Sequence, residues 1–116
     1  MSTITDLTTE TFADAVAGPG VAVVDFWAPW CGPCRVMHPQ LERAARLRPG
    51  VRFAKVNVDE EPQLAAAFQV QSIPTLAVLR DGEFVGKAAG VVGADQLVEA
   101  LDRLEQPAEE VAGDGR

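Results

Sequence analysis

Seven residues, Val21-Ala22-Val23-Val24-Asp25-Phe26-Trp27, form an apolar run of strand length that is broken only by Asp25 and is rich in β-branched valine. The run does not alternate apolar with polar residues, so a strand made from it is buried on both faces and belongs inside a covered sheet. Asp25 is therefore an anomaly, because a carboxylate in such a place needs a compensating partner.

The flanking segments supply the neighbours this strand requires. From Cys34 to Leu47 the residues Met37, Leu41, Ala44, Ala45 and Leu47 recur at helical spacing, and Pro39 should kink that helix or break its ladder. Val51 to Val58 reads as a second strand. Glu61 to Gln69 reads as a short helix with Pro62 in its first turn. Thr75 to Arg80 and Glu83 to Ala89 flank Asp81-Gly82, a tight-hairpin dipeptide, so this pair is expected to be antiparallel and the sheet mixed. Leu97, Val98, Leu101 and Leu104 make one stripe of a helix from Ala94 to Glu105, and Phe12 and Val16 face the core from an earlier helix, Glu10 to Ala17.

A length of 116 residues allows one compact domain. We place it at residues 1–106, followed by an acidic tail, 107–116, that lacks the apolar content to pack and is expected to be disordered. Seventeen acidic against 10 basic residues give a net charge of −7, which repels a nucleic-acid backbone. With two cysteines and one histidine, His38, the chain builds neither a disulfide-dense scaffold nor a four-cysteine zinc site, and an all-protein catalytic metal site is not expected. Residues 1–6 carry no basic residue leading an apolar stretch, and no run approaches a membrane span, so the expected address is the cytoplasm.

The chemistry concentrates in Trp27-Ala28-Pro29-Trp30-Cys31-Gly32-Pro33-Cys34, just after the buried strand and at the start of a helix. There the first cysteine meets unpaired backbone N–H groups and the positive end of the helix dipole, so its thiolate forms more easily than that of a free cysteine. Two cysteines three apart can close a small disulfide ring, and Gly32-Pro33 suits the sharp turn. The bland alternatives are an incidental pair or half of a zinc site shared across a dimer.

Trp-Cys-Gly-Pro-Cys resembles the active-site sequence of the thioredoxin family, and the resemblance extends from about Ile4 to Leu104. It includes Asp25-Phe26-Trp27 before the motif, Pro39 in the next helix, Lys55 and Asp59 in the next strand, Ser72-Ile73-Pro74-Thr75, the Asp81-Gly82 hairpin and Gly90. It implies an α/β fold with a central five-stranded mixed sheet flanked by four helices. It also implies thiol-disulfide exchange with disulfide-containing protein substrates, using electrons from a flavin enzyme, thioredoxin reductase, with no cofactor bound to the chain itself. On this resemblance Cys31 is the exposed attacking thiol and Cys34 the buried resolving thiol. Asp25 lies beneath the pair, close to Lys55, and helps move the Cys34 proton. Pro74 is cis and packs against the disulfide, the Ile73 backbone pairs with a substrate strand, and Trp30, Gly32, Pro33 and Gly90 line an apolar docking surface. The chain would act as a monomer.

Each reading has a plainer competitor. Asp25 is a structural carboxylate satisfied by backbone donors, or it is functional; Lys55 partners Asp25, or it snorkels to the sheet edge. Trp27 reads as core packing and Trp30 as substrate contact. His38 stands where a small or apolar residue is expected in the family, and is read either as a half-exposed helix residue or as a group tuning the redox pair. Phe68 stands where a tyrosine is common, a change expected to touch only surface polarity. Arg35, Arg43, Arg46, Arg48 and Arg52 are read as solvating one helix, or as docking the reductase. As whole-protein functions, a disulfide oxidase or isomerase is disfavoured by Gly32-Pro33 and the plain N-terminus, whereas a silent binding module remains as the alternative from another class.

Overall fold

The computed structural model of the protein describes residues 4–105. Gln106 and the acidic tail lie outside them. The elements run β1 (Thr5–Asp6), α1 (Thr9–Val16), β2 (Val21–Trp27), α2 (Gly32–Leu47), β3 (Arg52–Asn57), α3 (Pro62–Ala67), β4 (Thr75–Arg80), β5 (Glu83–Ala89) and α4 (Ala94–Leu104). The five strands form one mixed sheet in the order β1-β3-β2-β4-β5, with β1 and β2 parallel to β3, and β4 antiparallel to both β2 and β5. The valine-rich run is thus the central strand, as its composition requires.

Alternate residues of β2 feed two cores. Val21 and Val23 pack with Met37 and Leu41 of α2 and with Leu97 and Leu101 of α4. Ala22, Val24 and Phe26 pack with Phe12 and Val16 of α1 and with Leu64 of α3. By this alternation Asp25 shares the face of Val21 and Val23, turned towards α2.

Pro39 does not break α2, which runs through it from Gly32 to Leu47 with the proline on the exposed outer side. β3 stops at Asn57, so Asp59 lies in the following turn and not in the strand, where the Asn57 Oδ1 accepts from its N–H at 2.9 Å. β1 has only two residues, too few to carry a period, and its presence was implied by the resemblance alone. Phe68 differs most from expectation: its ring sits 5.3 Å from Phe12, 5.7 Å from Phe26 and 5.6 Å from Phe84, so it knits α1, β2 and β5 into an aromatic cluster. No helix among the described residues is long and apolar enough to cross a membrane.

Candidate active site

Strand register assembles the site. In the parallel β2–β3 pair Asp25 stands opposite Lys55, and in the antiparallel β2–β4 pair Phe26 stands opposite Thr75. The second pairing brings the start of β4, and with it Ile73 and Pro74, to the end of β2 from which the chain runs to Cys31. The Ile73–Pro74 peptide is cis. Thr75 Oγ1 donates to the Ser72 carbonyl at 2.7 Å, and the Gly90 N–H donates to the Pro74 carbonyl at 2.8 Å from a backbone with φ of 93°, a conformation open to glycine. These bonds fix the loop that faces the cysteines.

Cys31 and Cys34 are joined as a disulfide, with Cα atoms 5.3 Å apart. Cys31 is the N-cap of α2, and its Sγ accepts from the Cys34 N–H at 3.2 Å, so the sulfur occupies the position where a capping oxygen usually sits. Pro33, in the first helical turn, has no N–H that the helix would leave unpaired. The arrangement holds a negative charge on Cys31 when the disulfide opens.

Burial does not separate the two cysteines in the way the resemblance suggests. Each is 4% exposed, so Cys31 is not an open thiol in this oxidised form. Their surroundings separate them instead. Cys31 Sγ lies 3.8 Å from the Ile73 carbonyl oxygen. Ile73 and Trp30 border an apolar groove of about 590 Å³ floored by Val58, Pro62, Ala65 and Val70. Cys34 lines a different cavity, of about 420 Å³, together with Asp25, Lys55, Arg35 and His38.

The expected docking residues are only partly gathered. Trp30 is 67% exposed, and its Nε1 donates to Asp59 Oδ2 at 2.9 Å, which fixes the indole beside the groove. Gly32, Pro33 and Gly90 are exposed but lie outside the groove lining, and the Pro74 side chain is fully buried, so it offers no open surface of its own. The groove residues of α3 carried no signal in the sequence beyond small apolar side chains.

Asp25 is 2% exposed, and its Oδ1 has no hydrogen-bond partner among the described residues. Burial raises its pKa from 3.8 to about 7, with the nearby Lys55 charge opposing the rise. Lys55 does not close an ion pair on it. The ammonium instead lies 3.8 Å from Asp6 Oδ1 and 5.1 Å from the centroid of the Trp27 ring. Asp6 was not foreseen, because it depends on the β1–β3 register that sets Asp6 against Lys55. His38 Nε2 lies 3.2 Å from Glu42 Oε2, a helical i,i+4 pairing that the sequence reading did not draw. Arg35 Nη2 donates to the Pro29 carbonyl at 3.2 Å.

A buried carboxyl beside one cysteine of a capping disulfide, with an apolar groove beside the other, is equipped for reversible two-electron exchange. The sequence model of the Thioredoxin family matches residues 3–103. The chain belongs to the thioredoxin family. It is similar to thioredoxin of Staphylococcus haemolyticus, 49% identical over 72% of this chain and 82% of that one. It is also similar to thioredoxin 1 of a Nostoc species, 40% identical over 89% and 98%. Among solved structures, oxidised mitochondrial thioredoxin 3 of Saccharomyces cerevisiae superposes with a TM-score of 0.79 at 36% identity, covering 86% of this chain and 94% of the other. This thioredoxin-family chain is a thiol-disulfide oxidoreductase and protein-disulfide reductase, and Cys31–Cys34 is its redox-active disulfide. Thioredoxins act on disulfide substrates and are themselves reduced by thioredoxin reductase.

Proposed function

We propose that Cys31 attacks protein disulfides, that Cys34 resolves the mixed disulfide, and that Asp25 takes the Cys34 proton. The observation carrying this division is the placing of the Asp25 carboxyl, its Oδ1 without a hydrogen-bond partner among the described residues and its pKa raised to about 7, in one cavity with Cys34 and not with the Trp30 groove. An acceptor tuned near neutral pH is efficient at removing a proton there.

In the first step the Cys31 thiolate bonds to one substrate sulfur, the substrate S–S bond breaks, and the other substrate sulfur leaves as a thiolate that picks up a proton from water. In the second, Asp25 accepts the Cys34 proton and the Cys34 thiolate attacks Cys31 Sγ. The Cys31–Cys34 bond forms, the mixed disulfide breaks and the second substrate sulfur departs as a thiolate that picks up a proton from water. The substrate gains two electrons and the protein loses two, which a flavin-dependent thioredoxin reductase returns. Lys55 is a positioning residue, its charge limiting how far burial raises Asp25. The substrate strand pairs with the Ile73 backbone, with its apolar side chains against Trp30 and with Gly32, Pro33 and Gly90 at the margins. We read the protein as a cytoplasmic monomer whose working unit is residues 1–106.

Substituting the two cysteines separately tests the roles. Cys34→Ser, mixed with oxidised protein substrate, is expected to accumulate mixed disulfides stable to non-reducing electrophoresis, whereas Cys31→Ser should accumulate almost none. Equal trapping by both variants would overturn the assignment.

A further inference from the structure

Of the residues lining the cavity that holds Asp25 and Cys34, Pro29, Arg35 and His38 reach the surface, and of these only His38 can both accept and release a proton. Asp25 and Lys55 line it from β2 and β3, Cys34, Arg35 and His38 from α2, and Trp27, Ala28 and Pro29 complete the lining. His38 lines this space and keeps 41% of its side chain exposed, and its Nε2 lies 3.2 Å from Glu42 Oε2 one turn further along the same helix. We infer that His38, backed by Glu42, is the group through which the proton taken from Cys34 passes from the cavity to solvent. This rests on the acceptor role proposed for Asp25.

Each turnover leaves a proton on Asp25, and a carboxyl 2% exposed cannot hand it to bulk water directly. The route out runs through the cavity, whose 420 Å³ far exceeds the roughly 30 Å³ one water occupies, so bridging waters fit between the groups. The other charged groups facing His38 are Arg35 and Glu42 on its own helix, Asp25 on β2 and Lys55 on β3, with Asp6 of β1 behind Lys55. Guanidinium and ammonium groups donate hydrogen bonds and do not accept them. Arg35 is moreover committed to the Pro29 carbonyl, and Lys55 to Asp6 and the Trp27 ring. Among these residue types histidine alone can take a proton on one ring nitrogen and release one from the other near neutral pH. Glu42 Oε2, 3.2 Å from His38 Nε2, is placed to accept a hydrogen bond from that nitrogen as the proton passes. The relay balances simply: Asp25 returns to carboxylate, the imidazole gains the proton and then loses it to water, and no electron moves.

The test uses the full chain as catalyst of insulin reduction with dithiothreitol, at low concentrations of non-nucleophilic buffer from pH 6 to 9, comparing wild type, His38→Gln, His38→Ala and Asp25→Asn. Both His38 variants should turn over about tenfold more slowly near neutral pH, well short of the loss from removing a general base in direct contact. Imidazole added at constant ionic strength should restore the rate of His38→Ala while leaving wild type unchanged. A pH profile that superimposes on wild type, or a slowed rate that imidazole does not restore, overturns the relay. Slow Asp25→Asn beside a normal His38→Ala removes only the relay, whereas Asp25→Asn turning over at the wild-type rate removes the acceptor reading itself.

Discussion

Replacing Asp25 by asparagine is expected to stabilise the protein by an amount that grows with pH. Desolvation of the carboxylate leads the rise in pKa from 3.8 to about 7, and Lys55 acts against it. The folded form therefore holds its proton longer than the unfolded chain. Below pH 3.8 both states are protonated and the acid carries no penalty. Between there and about pH 7 the unfolded chain ionises while the folded one does not, so stability falls by about 1.4 kcal/mol per pH unit. Above the folded pKa both states are ionised and the loss levels off at about 4 kcal/mol, from a difference of about 3 in pKa. The asparagine does not ionise, so it escapes this loss. Its amide still lacks good partners, but that cost is independent of pH and leaves the slope untouched. With a urea dependence of about 2 kcal/mol per M, the midpoint of Asp25→Asn should exceed that of wild type by about 2 M more at pH 8 than at pH 4. Parallel midpoint curves across that range would refute the buried-acid account. An advantage of the variant that shrinks as pH rises would show that Lys55 holds Asp25 ionised.

Two further outcomes are expected. Phe68→Ala should lower stability by about 2 kcal/mol, below the roughly 3 to 5 kcal/mol of a fully buried phenylalanine because Phe68 is only partly buried, and thermal melting reads it directly. A chain ending at Gln106 should melt within a few degrees of the full chain and retain insulin reduction, and a large drop in melting temperature would refute the division of the chain at residue 106.

The parts of this protein that were legible in the sequence are those with long periods or strong local chemistry. The central strand Val21–Trp27 matched to the residue, because six apolar residues with one acid among them admit little else. The Asp81-Gly82 hairpin followed from its turn residues, and the helix after the cysteines from the spacing of Met37, Leu41, Ala44 and Ala45. What was missed depends on register or on packing between distant segments. Two residues of β1 place Asp6 beside Lys55, which turns a presumed Asp25 partner towards a different acid. Phe68, expected to alter only the surface, packs against three other phenylalanine rings that no local window unites. The exposure expected for Cys31 also failed, since Trp27, Val58 and Ile73 pack against the cysteine pair without altering its place at the helix start.

The stability and the chemistry of Asp25 have one physical origin. The sheet needs an apolar residue at the middle of β2, and a carboxylate there weakens the fold at every pH above its unfolded value. That same desolvation lifts the acid to about 7, where it accepts a thiol proton far better than an exposed aspartate would. Relief of the strain on the fold and retention of the acceptor therefore exclude each other at this position: any neutral side chain that removes the first also removes the second. Lys55 sets the compromise from the neighbouring strand. Its charge, held by Asp6 and the Trp27 ring 5.1 Å away and not bonded to Asp25, lowers the acid's pKa without fixing it in the ionised state. A direct ion pair would stabilise the carboxylate and leave it too weak a base to take the proton of Cys34.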